Sequence, residues 1–339
     1  MPVLAGKIVP ALNLAVCWEP LKLEVLLERV TIFVDVTMGN QQVTYDSLNL
    51  LGNLNDCAPE LSIYKVNSIY IVGFGSYLAG LIEGNGTIVV PKAERSTKGI
   101  LNYPSIQIVF QLKDFPLCQL VQKYIGHGSI HKKKQSARYI LTINNIDGLI
   151  ALVKLINGKM RGSKYNQLIL LIKHLNAKKS LNIIPLGIDT TSLGTNRWLT
   201  GFIEADGSFQ VRTSLTSKYP RIALSFELTQ SQITHYGFSM LPLMTLIADF
   251  LRVKVNETRR TSKYPQYRVR TNSLKTNLNL KNYLEQYSLY GTKYLDYKDW
   301  CTILRYFENG THMENLDAIV KIKSGMNQSR TIYNWDHLQ

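Results

Sequence analysis

Acidic residues, long apolar runs and grouped cysteines are all scarce in this chain of 339 residues. Asp and Glu number 24 against 39 Lys and Arg, leaving a net charge of +15 and a sequence pI near 9.5. A surplus of that size favours a polyanionic partner, nucleic acid above all, with an anionic membrane surface as the plainer competitor. No apolar run reaches the roughly 18 to 20 residues of a bilayer-spanning helix, which argues against an integral membrane protein. The four cysteines, Cys17, Cys57, Cys118 and Cys301, are widely spread. They show no metal spacing and read as reduced, partly buried thiols of a non-secretory compartment. The length allows two domains, each with its own core.

What the chain does have is a stretch that occurs twice. Tyr77-Leu-Ala-Gly-Leu-Ile-Glu-Gly-Asn-Gly86 returns as Trp198-Leu-Thr-Gly-Phe-Ile-Glu-Ala-Asp-Gly207. Leu78, Leu81 and Ile82 give an apolar stripe at helical spacing. Gly80 and Gly84 share a face, as do Gly201 and Ala205, and small residues four apart let two helices meet backbone to backbone. Glycine inside a helix costs about 1 kcal/mol, so close packing over these positions is expected. Asn85-Gly86 and Asp206-Gly207 read as helix ends tolerant of left-handed geometry. Pairing the two helices sets Asn85 beside Asp206 at the foot of a seam. The plainer alternative is two ordinary amphipathic helices with capping turns, and the duplication around them argues against it.

After each copy the same order of elements is expected: two strands, a helix, two strands, two helices. In the first repeat these are Thr87–Pro91, Tyr103–Leu112, Asp114–Tyr124, Gly128–Lys134, Arg138–Ile143, Ile146–Leu155 and Tyr165–Leu175. In the second they are Gly207–Arg212, Tyr219–Leu228, Leu241–Leu251, Lys254–Arg259, Tyr264–Thr271, Leu274–Gln286 and Tyr294–Asn309. A late landmark repeats as well, Arg161-Gly-Ser-Lys-Tyr165 against Tyr290-Gly-Thr-Lys-Tyr294. The domain reading is 1–70 as a leader or exon-derived segment, 71–176 and 197–339 as the two repeats, and 177–196 as the linker. Antiparallel ribbons enter the major groove, and outward strand positions carry side chains suited to base edges and phosphates. The candidates are Gln107, Gln111, Gln210, Arg212, Arg221, Arg268 and Arg270, flanked by Lys92, Lys132, Lys134 and Arg138. The alternative is a solvated sheet face. Tyr103, Tyr139, Tyr219, Tyr264 and Tyr267 are expected to pack rather than to stack on bases.

The doubled motif resembles the LAGLIDADG family of intron-encoded endonucleases and maturases in its two-motif, single-chain form. The resemblance covers roughly residues 70–339. It implies an α+β fold of two pseudo-symmetric domains, each with a curved four-stranded antiparallel DNA-binding sheet, packed through the paired motif helices. It implies a monomer, since a built-in pseudo-dimer needs no second chain. It further implies a site-specific double-strand DNA endonuclease using Mg2+ (or Mn2+, with Ca2+ as a non-catalytic substitute). The metal-binding acid stands just before the last glycine of each motif, which gives Asp206 in one copy and the uncharged Asn85 in the other. The backbone at Gly84 and Ala205 joins this metal set. Lys164 and Lys293 correspond to basic residues that organise solvent around the metals. Gln230 matches a polar position behind the acid, with Asp114 standing there in the first repeat. Asn85 keeps shape and weakens metal binding, which leaves open a splicing maturase acting on group I intron RNA, or a non-catalytic DNA-binding protein. Pro2-Val-Leu-Ala-Gly6 resembles a fragment of mitochondrial cytochrome oxidase subunit one, and with the fungal members in view it implies a mitochondrial location. The ending Trp335-Asp-His-Leu-Gln339 is similar to theirs and is expected to pack back onto a domain.

Overall fold

The computed structural model describes residues 65–66, 69–70, 73–133, 136–216 and 218–338. The leader assigned to 1–70 lies outside them apart from a two-residue hairpin, β1 (Lys65–Val66) against β2 (Ile69–Tyr70). Residues Tyr64–Gln339 form one compact unit. Within it the first half runs α1 (Phe74–Asn85), β3 (Gly86–Val89), β4 (Ser105–Gln111), α2 (Phe115–Ile125), β5 (Ser129–Lys132), β6 (Arg138–Ile143), α3 (Ile146–Ile156) and α4 (Tyr165–Lys179). The second runs α5 (Trp198–Asp206), β7 (Gly207–Ser214), β8 (Arg221–Ser231), α6 (Leu241–Leu251), β9 (Val255–Thr258), β10 (Gln266–Arg270), α7 (Leu274–Gln286) and α8 (Lys293–Glu308). A further helix, α9 (Leu316–Ser324), has no counterpart in the first half and is not anticipated by the repeat pattern.

Both sheets are antiparallel and share one strand order, β3-β4-β6-β5 and β7-β8-β10-β9. Their registers match: Gly86 faces Ile108, and Gly207 faces Leu228. Period-two alternation sends Ile106, Ile108 and Phe110 inward in one half and Phe226 and Leu228 inward in the other. Each sheet is then covered by helices whose apolar faces close the core, α2 and α6 carrying Pro116 and Pro242 in their first turns, where a missing N–H is harmless.

The seam between α1 and α5 is the tightest contact in the fold. A methyl group on Gly80 would overlap the Trp198 carbonyl, one on Gly201 the Tyr77 carbonyl, and one on Gly84 the Ala205 side chain. The glycines therefore sit where two backbones touch. Nearly every residue from Phe74 to Glu83 and from Trp198 to Glu204 is buried.

Three expectations need correction. The motif helices do not end in a left-handed residue: Gly86 (φ −96°, ψ 162°) and Gly207 (φ −72°, ψ 156°) are extended. Glycine is needed there for space, because the chain turns straight from helix to strand and a side chain would strike Ile82 or Ile203. The last helix of the first repeat, expected over Tyr165–Leu175, runs on to Lys179. Lys178 and Lys179 suit its negative C-terminal end, and Ser180 (φ 50°) stops it. Tyr139 and Tyr267 pack against the core as expected, but Tyr103 (64% exposed), Tyr219 (67%) and Tyr264 (65%) do not. Each stands in the connection between two strands, directly before a proline, and Lys218 and Lys263 lie 5.6 Å over the rings of Tyr219 and Tyr264.

The C-terminal residues do fold back. Arg330 pairs with Asp296 (2.8 Å), Asn327 donates to the Phe209 carbonyl (2.9 Å), and the His337 ring stacks on Tyr294 at 4.2 Å. Of the cysteines, Cys118 is buried and Cys301 half-buried, both free, and burial pushes their thiols up to about 12 and about 11. Among the described residues no helix is long and apolar enough to cross a membrane.

Candidate functional site

Because α1 and α5 lead directly into β3 and β7, the first strand in the order of each sheet, Asn85 and Asp206 are delivered side by side to the foot of the seam. The Asn85 amide reaches across to the Ala205 carbonyl at 3.5 Å. Asp206 accepts a hydrogen bond from the Gln230 amide on β8 at 2.8 Å. Burial raises the Asp206 pKa, opposed by the charge of Lys293, the Gln230 hydrogen bond and the charge of Lys164.

The repeated landmark explains itself here. Lys164 donates to the carbonyls of Ile82 (2.9 Å), Glu83 (2.8 Å) and Gly84 (3.1 Å). Lys293 donates to those of Ile203 (3.2 Å), Glu204 (2.6 Å) and Ala205 (2.9 Å). Each ammonium thus caps the C-terminal end of its own motif helix, binding the carbonyls of the last turn, of which those of Ile82 and Ile203 also accept from the amides of Gly86 and Gly207. Desolvation lowers both lysines, Lys164 to about 8. The landmark turn is held in place by the motif glutamate. Glu83 accepts from the backbone amides of Arg161 (2.9 Å) and Gly162, and from the Trp198 indole of the other half (2.8 Å). Glu204 accepts from the amides of Tyr290 (2.8 Å) and Gly291. Gly162 and Gly291 are glycines because a side chain would meet those carboxylates. Burial pushes both Glu83 and Glu204 up to about 7.

These contacts give the surroundings of the residues singled out from sequence. All three protons of each lysine go to carbonyls, so its direct task is capping, and its effect on the acid is electrostatic. The register counterpart of Gln230 is Phe110, not Asp114. Asp114 instead accepts from the amide (2.8 Å) and hydroxyl (2.7 Å) of Thr292 in the opposite half. Neither contact has a sequence signature, since both join residues 178 positions apart.

The outward sheet positions are unequal in the two halves. On the first sheet Gln107 lies between Thr87 and Thr142, and Gln111 faces Arg138. Gln111 and Arg138 line a cleft of about 470 Å3 with Asn85, Lys164 and Asp206. On the second sheet Arg212, Arg268 (3.9 Å) and Arg270 (3.2 Å) gather around Glu227. Glu227 was missed, although its outward parity between Phe226 and Leu228 could have found it. Gln210 lines a second cleft of about 510 Å3 with Asp206 and Lys293. Lys92, Lys132 and Arg221 are exposed outside these clefts. Lys134 falls outside the described residues.

A hard divalent cation takes oxygen ligands, and the foot of the seam offers them in the Asp206 carboxylate, the Asn85 amide oxygen and the carbonyls of Gly84 and Ala205. Those two carbonyls already accept from Lys164 and Lys293, so the charge in the set comes from Asp206 alone. The donors fit such an ion, with one negative charge where a symmetric site has two.

Two topologically matched α+β halves joined through a glycine-lined helix pair define a single-chain pseudo-dimer. Comparison with known proteins agrees. The family described as LAGLIDADG endonuclease matches residues 78–175 and 199–304, more than half of the chain. The chain belongs to that family. It is similar to the intron-encoded DNA endonuclease aI3 of Saccharomyces cerevisiae, 29% identical, over 89% of this chain and 79% of the relative. It is similar also to a cox1 intron-2 protein of Schizosaccharomyces pombe, 28% identical, over 83% and 84%. A shorter match, 29% identical over 47% of this chain and 24% of the relative, is to the intron-encoded RNA maturase bI4 of Saccharomyces cerevisiae. Among solved structures, the LAGLIDADG homing endonuclease I-GzeII in complex with its DNA target shares the fold (TM-score 0.62, 18% identity, 76% of this chain and 99% of that one). So does I-SmaMI bound to cleaved DNA (TM-score 0.62, 21% identity, 79% and 99%).

Proposed function

We propose that this chain is an intron-encoded, site-specific DNA endonuclease that hydrolyses phosphodiester bonds with a divalent cation, Mg2+ or Mn2+, Ca2+ serving as a non-catalytic substitute. The observation that carries the reading is the half-buried Asp206 at the foot of the seam, oriented by Gln230 and flanked by the two helix-capping lysines. Asp206 and Asn85 would hold the cation, with the Gly84 and Ala205 carbonyls beside them. Bound there, the ion supplies charge neutralisation at the phosphate and a more acidic water. The protein's own part is positional. Lys164 and Lys293 fix the ends of the motif helices, Gln230 fixes the carboxylate, and the two sheets hold a long duplex across the seam through Gln107, Gln111, Gln210, Arg138, Arg212, Arg268 and Arg270. Lys92, Lys132, Lys134 and Arg221 extend that grip. The boundaries 71–176, 177–196 and 197–339 divide the chain into two such halves and a linker. The cox1 intron named for one relative supports a mitochondrial location.

Asn85 supplies no charge, so the two strands are expected to be cut unequally. A supercoiled plasmid carrying the intronless exon junction, incubated with Mg2+, should be bound and nicked on one strand or cut poorly, whereas Asn85→Asp cuts both. Full double-strand cutting by the chain as it stands would sink the metal argument. Asn85 and the resemblance to bI4 favour one second reading, an RNA-binding maturase for group I intron splicing. Binding without cutting by either version would move that reading to first place.

A further inference from the structure

Nine residues, 232–240, join β8 to α6, where three, 112–114, join β4 to α2. The longer connection is a folded hairpin. The Met240 amide donates to the Gln232 carbonyl, the Thr234 amide to the Phe238 carbonyl and the Gln232 amide to the Pro265 carbonyl, each at 2.9 Å. Gly237 (φ +83°) allows the turn between them. The hairpin reaches across the seam, where the Tyr236 hydroxyl donates to the Ile88 carbonyl of the first half at 3.5 Å. His235 stands beside Tyr236, their ring centroids 3.7 Å apart. The imidazole is exposed, yet it lines the cleft of about 470 Å3 with Asn85, Asp206, Lys164 and Arg138. On its other side it faces Glu83 and Tyr264 across a cleft of about 490 Å3.

So the second half carries an inserted element over the Asn85 end of the seam, with a hydrogen-bonding side chain at its tip. That is where the first motif brings no charge to hold a cation. Lys164 cannot make good the loss, because its three protons are committed to carbonyls. Resting on the endonuclease reading, we propose that His235 is a catalytic residue contacting the scissile phosphate on the Asn85 side. Its ring N–H donates to a non-bridging phosphate oxygen and stabilises charge there without transferring a proton. An imidazole keeps an N–H donor in either protonation state, so the contact does not depend on its titration.

The test measures binding in Ca2+ to the junction duplex, unmodified or carrying one neutral methylphosphonate at either scissile phosphate (the positions mapped with Asn85→Asp). His235→Ala should weaken binding to the unmodified duplex about 10-fold, the worth of one charge-assisted hydrogen bond. His235→Gln, which keeps an N–H donor, should recover part of it. The methylphosphonate on one strand should erase the difference between wild type and His235→Ala, and that on the other strand should leave it. With Mg2+, His235→Ala added to Asn85→Asp, the version expected to cut both strands, should slow cutting of the first strand alone. Equal binding by wild type and His235→Ala, or a loss that persists with both modified duplexes, overturns the proposal. Binding without cutting by wild type and Asn85→Asp would defeat the endonuclease reading and, with no scissile phosphate to contact, this proposal with it, whereas equal binding by wild type and His235→Ala with cutting by Asn85→Asp intact overturns the proposal alone. A chain that does not bind the junction defeats both.

Discussion

Glu83 and Glu204 are the residues most easily mistaken for ligands. Each lies two positions before the end of its motif helix, and each is turned away from the foot of the seam onto the amides of the landmark turn. Their burial has a consequence for stability. Both carboxyls titrate near 7 in the folded chain, against about 4.5 for an exposed glutamate. Between those values the folded state holds more protons than the unfolded one, so stability falls as pH rises through this window and levels off above it. Unfolding free energies measured by denaturant from pH 5 to pH 8 should decline, and Glu83→Gln should flatten the decline. A flat profile across that range would show that these carboxyls are ionised throughout. Sequence made the two lysines of the landmark visible because the pattern repeats. What they bind stayed hidden, since the carbonyl end of a helix is the same whatever its side chains.

At the scale of elements, the seam was legible because its requirement is steric and is written in residue size. Gly80 and Gly201 lie under backbone carbonyls, and no side chain fits between them. Gly80→Val should therefore cost about 3 kcal/mol or more, because the obstacle is main chain and cannot repack. Gly187→Ala is the control, at a glycine with no neighbour within 4 Å and an ordinary φ, and should be close to neutral. Equal unfolding midpoints for the two variants would mean that the helices do not rely on backbone contact. The strands were legible for a similar reason, since inward parity follows from Ile106, Ile108 and Phe110. The hairpin at 232–240 was not. A single sequence shows loop residues there, and only the shared sheet register exposes six more residues than the first half has.

Over the whole molecule the surplus of positive charge is not shared evenly. The outward face of the first sheet carries the guanidinium of Arg138 among Thr87, Val89, Gln107, Val109, Gln111, Ile140 and Thr142, while that of the second holds Arg212, Arg268 and Arg270 around Glu227. A carboxylate among three guanidiniums fixes their orientation, as suits base edges, and leaves a local charge surplus. Arg270 (24% side-chain exposure) and Arg268 (33%) are also less free than the exposed Lys92 and Lys132. Phosphate contacts and base contacts differ in what salt does to them. Each phosphate neutralised adds about 0.9 to the slope of log affinity against log salt, whereas a base contact changes preference between sequences. Lys132→Gln should therefore lower that slope by about 1 with no change in preferred sequence. Arg270→Gln should leave the slope near its original value and relax the choice of one base pair, by about 1–3 kcal/mol. Binding isotherms over a salt series, on the junction and on its single-base variants, separate the two. If Arg270→Gln instead flattens the slope and keeps the preference, the cluster grips the backbone, and the sequence is read elsewhere on the two sheets.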